Sequence, residues 1–458
     1  MNFRRMFIKM VILLLIVFIV SCTKVVTVSE KPVERSPVDE IKSQKKETPP
    51  ETNSTAAGTD AIKPPEYIKP KLQAKQFEEK QQEEKPPALQ FPEDRANRNI
   101  IGCILPLSGR YGDDGNKALD AILLAAGMFD EKNKTPWKIV VADSRGSQGE
   151  ARSSVAQLVR TENVMAIIAV AGSAEAAAIA READNWKIPI VLVTPKEGVS
   201  ISNDYVFQHF LTPNQQIKAL LKYSLDQLNC AVFSVLYPQD DYGAEMAKIF
   251  RAETERSGGK IEMAIPYSKT QTDFTEEIKK ITKDGLNKKA DFNNPEAEGQ
   301  VTVDFEALFI PDSYQRVKMI TSQLAFYNVK GFRLLGTSLW NTPDLLKKGA
   351  EHLEGAVFAD SFFVNSFYPE ANDFVDIYYT AYGREPGSIE ALAYDTTGII
   401  LKVLEDEEIK TRAQFVTALK KVENYQGVTG NISFFADKIA QKTALILQVK
   451  DGKLEQVQ

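Results

Sequence analysis

Catalysis by side chains needs a nucleophile beside a base, or a cluster that holds a metal, and this chain offers little of either. It has two histidines, His209 and His352, and three cysteines, Cys22, Cys103 and Cys230, all far apart in the sequence. A Ser-His or Cys-His pair would have little choice of partner, and no cysteine or histidine cluster has zinc spacing. Gly109, Gly112 and Gly115 do not form G-x-G-x-x-G, and no G-K-S/T phosphate loop occurs. Asp113-Asp114 are neighbouring carboxylates of the solvated-loop kind more than an acid-base pair. No catalytic residue, metal or cofactor is expected, and the chain is not read as an enzyme. What remains is recognition chemistry. Ser108, Tyr111, Ser173, Thr194, Asp240, Tyr242, Asp312 and Trp340, the last beside Thr337 and Ser338, each follow an apolar run. Such hydroxyls, phenols, carboxylates and an indole hold a small polar ligand by hydrogen bonds and stacking. Structural roles compete for the same residues: Ser173 as a helix cap, Tyr242 and Trp340 as packing, Asp240 and Asp312 as caps or surface pairs.

Those residues need elements to position them. Ile100–Leu105 is a continuous apolar run, and Gly115–Phe129 carries apolar residues at helical spacing. Strand and helix then alternate: Lys138–Val141, Ala151–Val159, Val164–Val170, Ala174–Ala183 and Ile188–Val193. The pattern restarts with Ala231–Leu236, Gly243–Glu255, Ile261–Ile265, Phe274–Ile281, Phe305–Ile310, Tyr314–Phe326 and Phe332–Leu335. Strands apolar on both faces, alternating with helices, predict α/β architecture with parallel sheets covered on both sides. An internal echo predicts two such lobes. Cys103–Leu107 leads to Tyr111-Gly112-Asp113-Asp114 and a helix, while Val232–Leu236 leads to Asp240-Asp241-Tyr242-Gly243 and a helix. Ligands bind outside the carboxyl ends of the strands in open parallel sheets. The candidate residues occupy those loops, and a small anion would suit the start of the helix after Ser173. Asp284–Asp304 has no periodicity and reads as a surface insertion.

The N-terminal region is of another kind. Arg4, Arg5 and Lys9 precede an apolar run, Met10–Val20, that is too short to cross roughly 30 Å of hydrocarbon, so it reads as an export signal. It closes on Ile19-Val20-Ser21-Cys22, which resembles the bacterial lipobox and makes Cys22 the expected lipidation site. Acyl chains there would anchor the protein to a membrane, and Thr23 resembles the outer-membrane sorting pattern. Thr23 to about Asn99 is rich in Pro, Lys, Glu and Gln and cannot bury enough apolar surface to order itself. It is a tether with a mean reach of about 50 Å. Cys103 and Cys230 sit in apolar runs of separate lobes and are expected as buried thiols. A net charge of −6 implies no nucleic-acid partner.

The start, Ile101-Gly-Cys-Ile-Leu-Pro-Leu-Ser-Gly-Arg-Tyr-Gly112, resembles the opening of the leucine/isoleucine/valine-binding-protein-like, type I periplasmic binding protein family. Asp143, Val164–Gly172, Ile188-Pro189, Thr212-Pro213-Asn214-Gln215-Gln216, Asp241-Tyr242-Gly243 and Ala393-Tyr394-Asp395 follow in the family's order. The resemblance implies two Rossmann-like lobes joined by a three-segment hinge, with crossings near Gln208–Pro213, Asp360–Asn365 and Gly430–Ala436. Residues 1–21 would then be the signal peptide and 22–98 the lipidated cysteine and tether. Lobe one would take 99–210 and 366–430, and lobe two 211–365 and 431–458. A lipid-anchored periplasmic receptor follows, delivering a small polar ligand such as an amino acid or small carboxylate to an inner-membrane ABC permease. One departure stands out: where family members place a serine pair to hold the ligand carboxylate, Ser173 is followed by Ala174-Glu175-Ala176-Ala177-Ala178. Phe305–Asp312 and Leu335–Trp340 are also similar to lipoprotein activators of penicillin-binding proteins. That likeness implies the alternative partner, a peptidoglycan synthase regulated without transport.

Overall fold

The computed structural model describes residues 96–129, 134–283, 301–347 and 350–458. The expected export signal, Cys22, nearly all of the tether and most of the insertion lie outside the described residues.

In the first lobe the doubly apolar runs become a parallel sheet. β1 (Asn97–Leu105), β2 (Lys138–Asp143), β3 (Val164–Val170), β4 (Ile190–Val193) and β5 (Val206–Gln208) pair in the order β2-β1-β3-β4-β5. Cys103 stands opposite Val141 on one side and Ile168 on the other. Successive side chains alternate faces, so Ile101, Cys103 and Leu105 enter one core layer and Ile104 the other. α1 (Gly112–Ala125), α8 (Pro369–Tyr382), α9 (Ser388–Leu404) and α10 (Arg412–Leu419) supply the first layer. α2 (Gln148–Arg160) and α3 (Ser173–Trp186) supply the second.

The second lobe repeats the plan. β6 (Val232–Pro238), β7 (Lys260–Tyr267), β8 (Ala307–Phe309), β9 (Arg333–Gly336) and β10 (Val357–Asp360) are parallel, and β14 (Leu445–Lys450) and β15 (Lys453–Gln456) add an antiparallel edge. α4 (Pro213–Asp226) and α5 (Asp241–Arg256) cover one face; α6 (Thr275–Ile281) and α7 (Tyr314–Phe326) cover the other. The echo between lobes survives in altered register. A Cβ on Gly115 would collide with the Pro106 carbonyl oxygen, and one on Gly243 with that of Pro238. Gly115, rather than Gly112, is therefore the counterpart of Gly243, because it is there that the helix closes on the end of its strand.

Three segments join the lobes. The first runs from Gln208 at the end of β5 to α4, which opens with a capping box: Gln215 N donates to Thr212 Oγ1 at 3.3 Å, and Thr212 N to Gln215 Oε1 at 3.0 Å. The second leaves β10 at Asp360 and reaches α8. The third differs from the expected position at Gly430–Ala436. There the chain forms a three-stranded antiparallel sheet of β11 (Tyr425–Gly427), β12 (Gly430–Phe434) and β13 (Ala440–Lys442). Ile432, Phe434 and Ala440 pack in the first lobe's core, and Phe434 meets Phe207 edge-on at 5.4 Å. The chain reaches the second sheet only at Leu445. Cys103 and Cys230 are both buried and free, and burial pushes the Cys103 thiol up to about 12. Among the described residues no helix is long and apolar enough to cross a membrane.

Candidate functional site

Between the lobes lies a cavity of ≈ 570 Å³, within the usual size range of small-molecule sites. Lobe one contributes the ends of β3 and β4 (Val170, Val193), the start of α3 (Gly172, Glu175), and Tyr111, Asp114 and Ile389. Lobe two contributes Gln216 from α4 and Ser338, Leu339 and Asn341 from the turn after β9, while Asp360 and Ser361 come from the second crossing. The cavity thus opens where strand ends face helix starts, as parallel sheets dictate. A second cavity, ≈ 630 Å³, adjoins it through the shared Asn341 and Ser388 and is lined further out by Lys117, Arg384 and Lys453. Arg384 there is held by Asp120 at 2.8 Å and Glu390 at 2.7 Å.

Of the eight residues singled out in the sequence, Tyr111 lines the first cavity, with its ring about half exposed, and so does Ser338, named there beside Trp340. Ser108 donates to Asp143 Oδ2 at 2.6 Å on the surface. Ser173 opens α3 exposed, and the N-cap is Gly172. Thr194 is fully buried, its carbonyl taken by Gln208 Nε2 at 2.8 Å. In lobe two the candidates are consumed locally. Asp240 caps α5 by accepting from Gly243 N at 2.8 Å and pairs with Lys269 at 3.0 Å. Tyr242 donates its hydroxyl to Thr337 Oγ1 at 3.1 Å, and burial pushes the phenol up to about 12. Asp312 accepts from Tyr267 Oη at 2.5 Å. Trp340 is fully buried, with Nε1 donating to the Asp312 carbonyl at 3.1 Å.

Several cavity residues were not singled out. Asp360 is buried at the mouth of the second crossing, where Ser361 N (2.6 Å) reaches Oδ1, and Asn341 Nδ2 (2.7 Å) and Ser388 Oγ (3.0 Å) reach Oδ2. Burial outweighs these donors and pushes its carboxyl up to about 6. Asn341 also donates to the Phe362 carbonyl at 2.8 Å. Ser388 belongs to lobe one and Asn341 to lobe two, so Asp360 ties the lobes together at the cavity wall. A polar residue at the exact end of a core strand was the available signal. Glu175 was visible in the sequence only as a departure from a serine pair. It is 4% exposed and its Oε1 has no hydrogen-bond partner; burial raises its pKa, partly opposed by the Ser144 hydroxyl and the Gly172 backbone.

Behind the cavity the hinge carries a buried polar chain. Thr396 Oγ1 donates to the Leu392 carbonyl at 2.7 Å, so toward His209 Nδ1, 2.8 Å away, it must accept. His209 therefore carries its proton on Nδ1, and Nε2 accepts from the Lys442 ammonium at 3.0 Å. Lys442 also donates to Thr429 Oγ1 at 2.6 Å, which passes the bond to Asp395 Oδ2 at 2.6 Å. Burial brings Lys442 down to about 8, partly opposed by Asp395 and Asp360. Burial and the Lys442 charge hold His209 well below its usual range, so it stays neutral. This arrangement ties the first crossing, α9 and β13 together and leaves His209 no free base to offer a substrate. Among the described residues, no group of histidine, cysteine and carboxylate side chains could hold a metal ion.

Solved structures with the same two-lobed fold include a leucine binding protein from Thermotoga maritima (23% identity, TM-score 0.61), covering 78% of this chain and 97% of that one. A branched-chain amino acid transporter substrate-binding protein from Streptococcus pneumoniae, in complex with isoleucine, matches at 24% identity and TM-score 0.61 over 78% and 97%. A putative branched-chain amino acid ABC transporter protein from Rhodospirillum rubrum matches at 21% and 0.68 over 78% and 99%. No curated protein matches the chain by sequence. Two parallel-sheet lobes, three joining segments and a cavity at the facing strand ends agree with the family match over residues 100–453: this chain belongs to the periplasmic binding protein family and has its type I fold.

Proposed function

We propose that the chain is a lipid-anchored extracytoplasmic receptor that closes its lobes on a small ligand and presents it to an inner-membrane ABC permease. The observation that carries this reading is the ≈ 570 Å³ cavity, walled by apolar strand ends from one lobe and by Gln216, Ser338 and Asn341 from the other. A ligand touching both walls stabilises the closed form over the open one, and that difference is what a permease can sense. The pneumococcal relative holds isoleucine, and an amino-acid-sized ligand suits this volume. Tyr111 is the expected contact from lobe one. Family membership supports a place outside the cytoplasm, and the Ile19–Cys22 pattern supports attachment through lipid on Cys22.

A thermal-shift screen of amino acids, amines, short peptides and cell-wall fragments tests the receptor role. A true ligand at a thousand times its Kd adds about 4 kcal/mol of stability. If no compound raises the melting temperature while a pull-down recovers a peptidoglycan synthase, transport is the wrong reading and the regulator reading replaces it. Labelled palmitate incorporation lost in C22A tests the anchor.

A further inference from the structure

We propose that the interlobe cavity takes a ligand with a cationic amine on an apolar body and no free carboxylate, and that Glu175 receives the amine. This rests on the reading of the cleft as a ligand site.

The charged side chains that line the cavity among the described residues are Asp114, Glu175 and Asp360; neither a lysine nor an arginine lines it. These carboxylates are not equivalent. Asp360 has both oxygens occupied by Ser361, Asn341 and Ser388 and belongs to the joint between lobes. Asp114 is exposed at the rim. Glu175 is 4% exposed, lines the cavity, and keeps Oε1 without a hydrogen-bond partner. A buried acceptor left open is costly in a finished core. In a ligand site it is the place for a donor.

The position of Glu175 explains why that donor is a cation. It is the third residue of α3, so its carboxylate lies in the first turn of that helix. The positive end of the helix, which would otherwise attract an anion, is already served by the protein's own carboxylate. A ligand carboxylate brought there meets like charge. An ammonium meets an open oxygen and a negative charge. Burial raises the Glu175 pKa, and an ammonium beside it would bring that pKa back down. The rest of the wall is apolar, with Val170, Val193, Phe210, Ile389 and Leu392 offering a surface for an aliphatic or aromatic body.

Four probes with one branched body separate the charges: leucine, leucinamide, 3-methylbutylamine and 4-methylpentanoate, titrated calorimetrically into the full chain at neutral pH. Leucinamide and 3-methylbutylamine should bind, leucine about 100-fold more weakly and 4-methylpentanoate not detectably, the scale set by one charged hydrogen bond. E175Q keeps the side-chain shape without the charge and should lose about 100-fold in affinity for both amines, again one charged bond. Leucine or 4-methylpentanoate binding as tightly as leucinamide would overturn the charge assignment while leaving the cleft a receptor site. Unchanged amine affinity in E175Q would overturn the role of Glu175. If none of the four binds, the amine proposal fails, and the wider screen above decides separately whether the cleft binds any solute. The ranking of the four probes on the unaltered chain stands as a test even if E175Q folds poorly.

Discussion

In both lobes a strand ends at a proline and the next helix closes against that proline's carbonyl through a glycine, Gly115 on Pro106 and Gly243 on Pro238. Beyond that shared joint the lobes use their loops differently. Lobe one places the six residues Pro106–Tyr111 between β1 and α1 and leaves Tyr111 half exposed beside the cavity, with Glu175 open at the start of α3. Lobe two enters α5 directly, with Asp240 as cap and Tyr242 turned onto Thr337. Trp340 is packed against Phe358 and bonded to the Asp312 carbonyl. Similar strand-loop-helix units therefore leave side chains open to the cavity in one lobe and bond the corresponding ones within the protein in the other. Groups already bonded within the protein have little left to offer a ligand, and that teaches where to look for specificity.

Substitutions can break this division. W340A should cost about 3–5 kcal/mol in urea unfolding, as for other fully buried large side chains; retained stability with lost ligand affinity would move Trp340 into the cleft. The hinge comes next. K442M removes two hydrogen bonds of a charged group and should cost about 1.5–3 kcal/mol at pH 7. The unfolded chain keeps the Lys442 proton up to its ordinary 10.5, whereas the folded chain releases it near 8. Between those values the unfolded state binds more protons, so stability rises with pH. The advantage of the parent over K442M should widen from pH 8 to 10.5 in melting curves; a flat difference would mean that Lys442 is not buried charged. D240A should lose about 1 kcal/mol, the value of an N-cap, with ligand affinity unchanged by calorimetry. Y111A should stay within about 0.5 kcal/mol of the parent in stability, yet weaken a confirmed ligand by up to about 10-fold. Equal affinity would remove Tyr111 from the wall.

Much of the scaffold was legible because its signals are local. Val164–Val170 and Tyr314–Phe326 occupy the spans that their apolar patterns predict, since a short run apolar on both faces and helical spacing are each read a few residues at a time. The third crossing was not legible. Gly430–Phe434 has apolar residues that suit either lobe, and only pairing with β11 and β13 and the contact of Phe434 with Phe207 assign it to the first. The cavity residues were legible least of all. Asp360 read only as the start of the second crossing, and the value of Glu175 depended on which of its oxygens would be left unpaired.

By itself the sequence determined the strand-helix order, the two parallel-sheet lobes and the doubling of a strand-loop-helix unit. These depend on patterns a few residues long. Tertiary structure alone decided which loop side chains face the cavity, which are spent on neighbours, and where an acceptor is left open. Those outcomes depend on partners outside the local pattern, 28 residues away for Ser388 and Asp360 and 233 for Lys442 and His209. Whether a polar group is free to bind is settled only once every distant donor has taken its place.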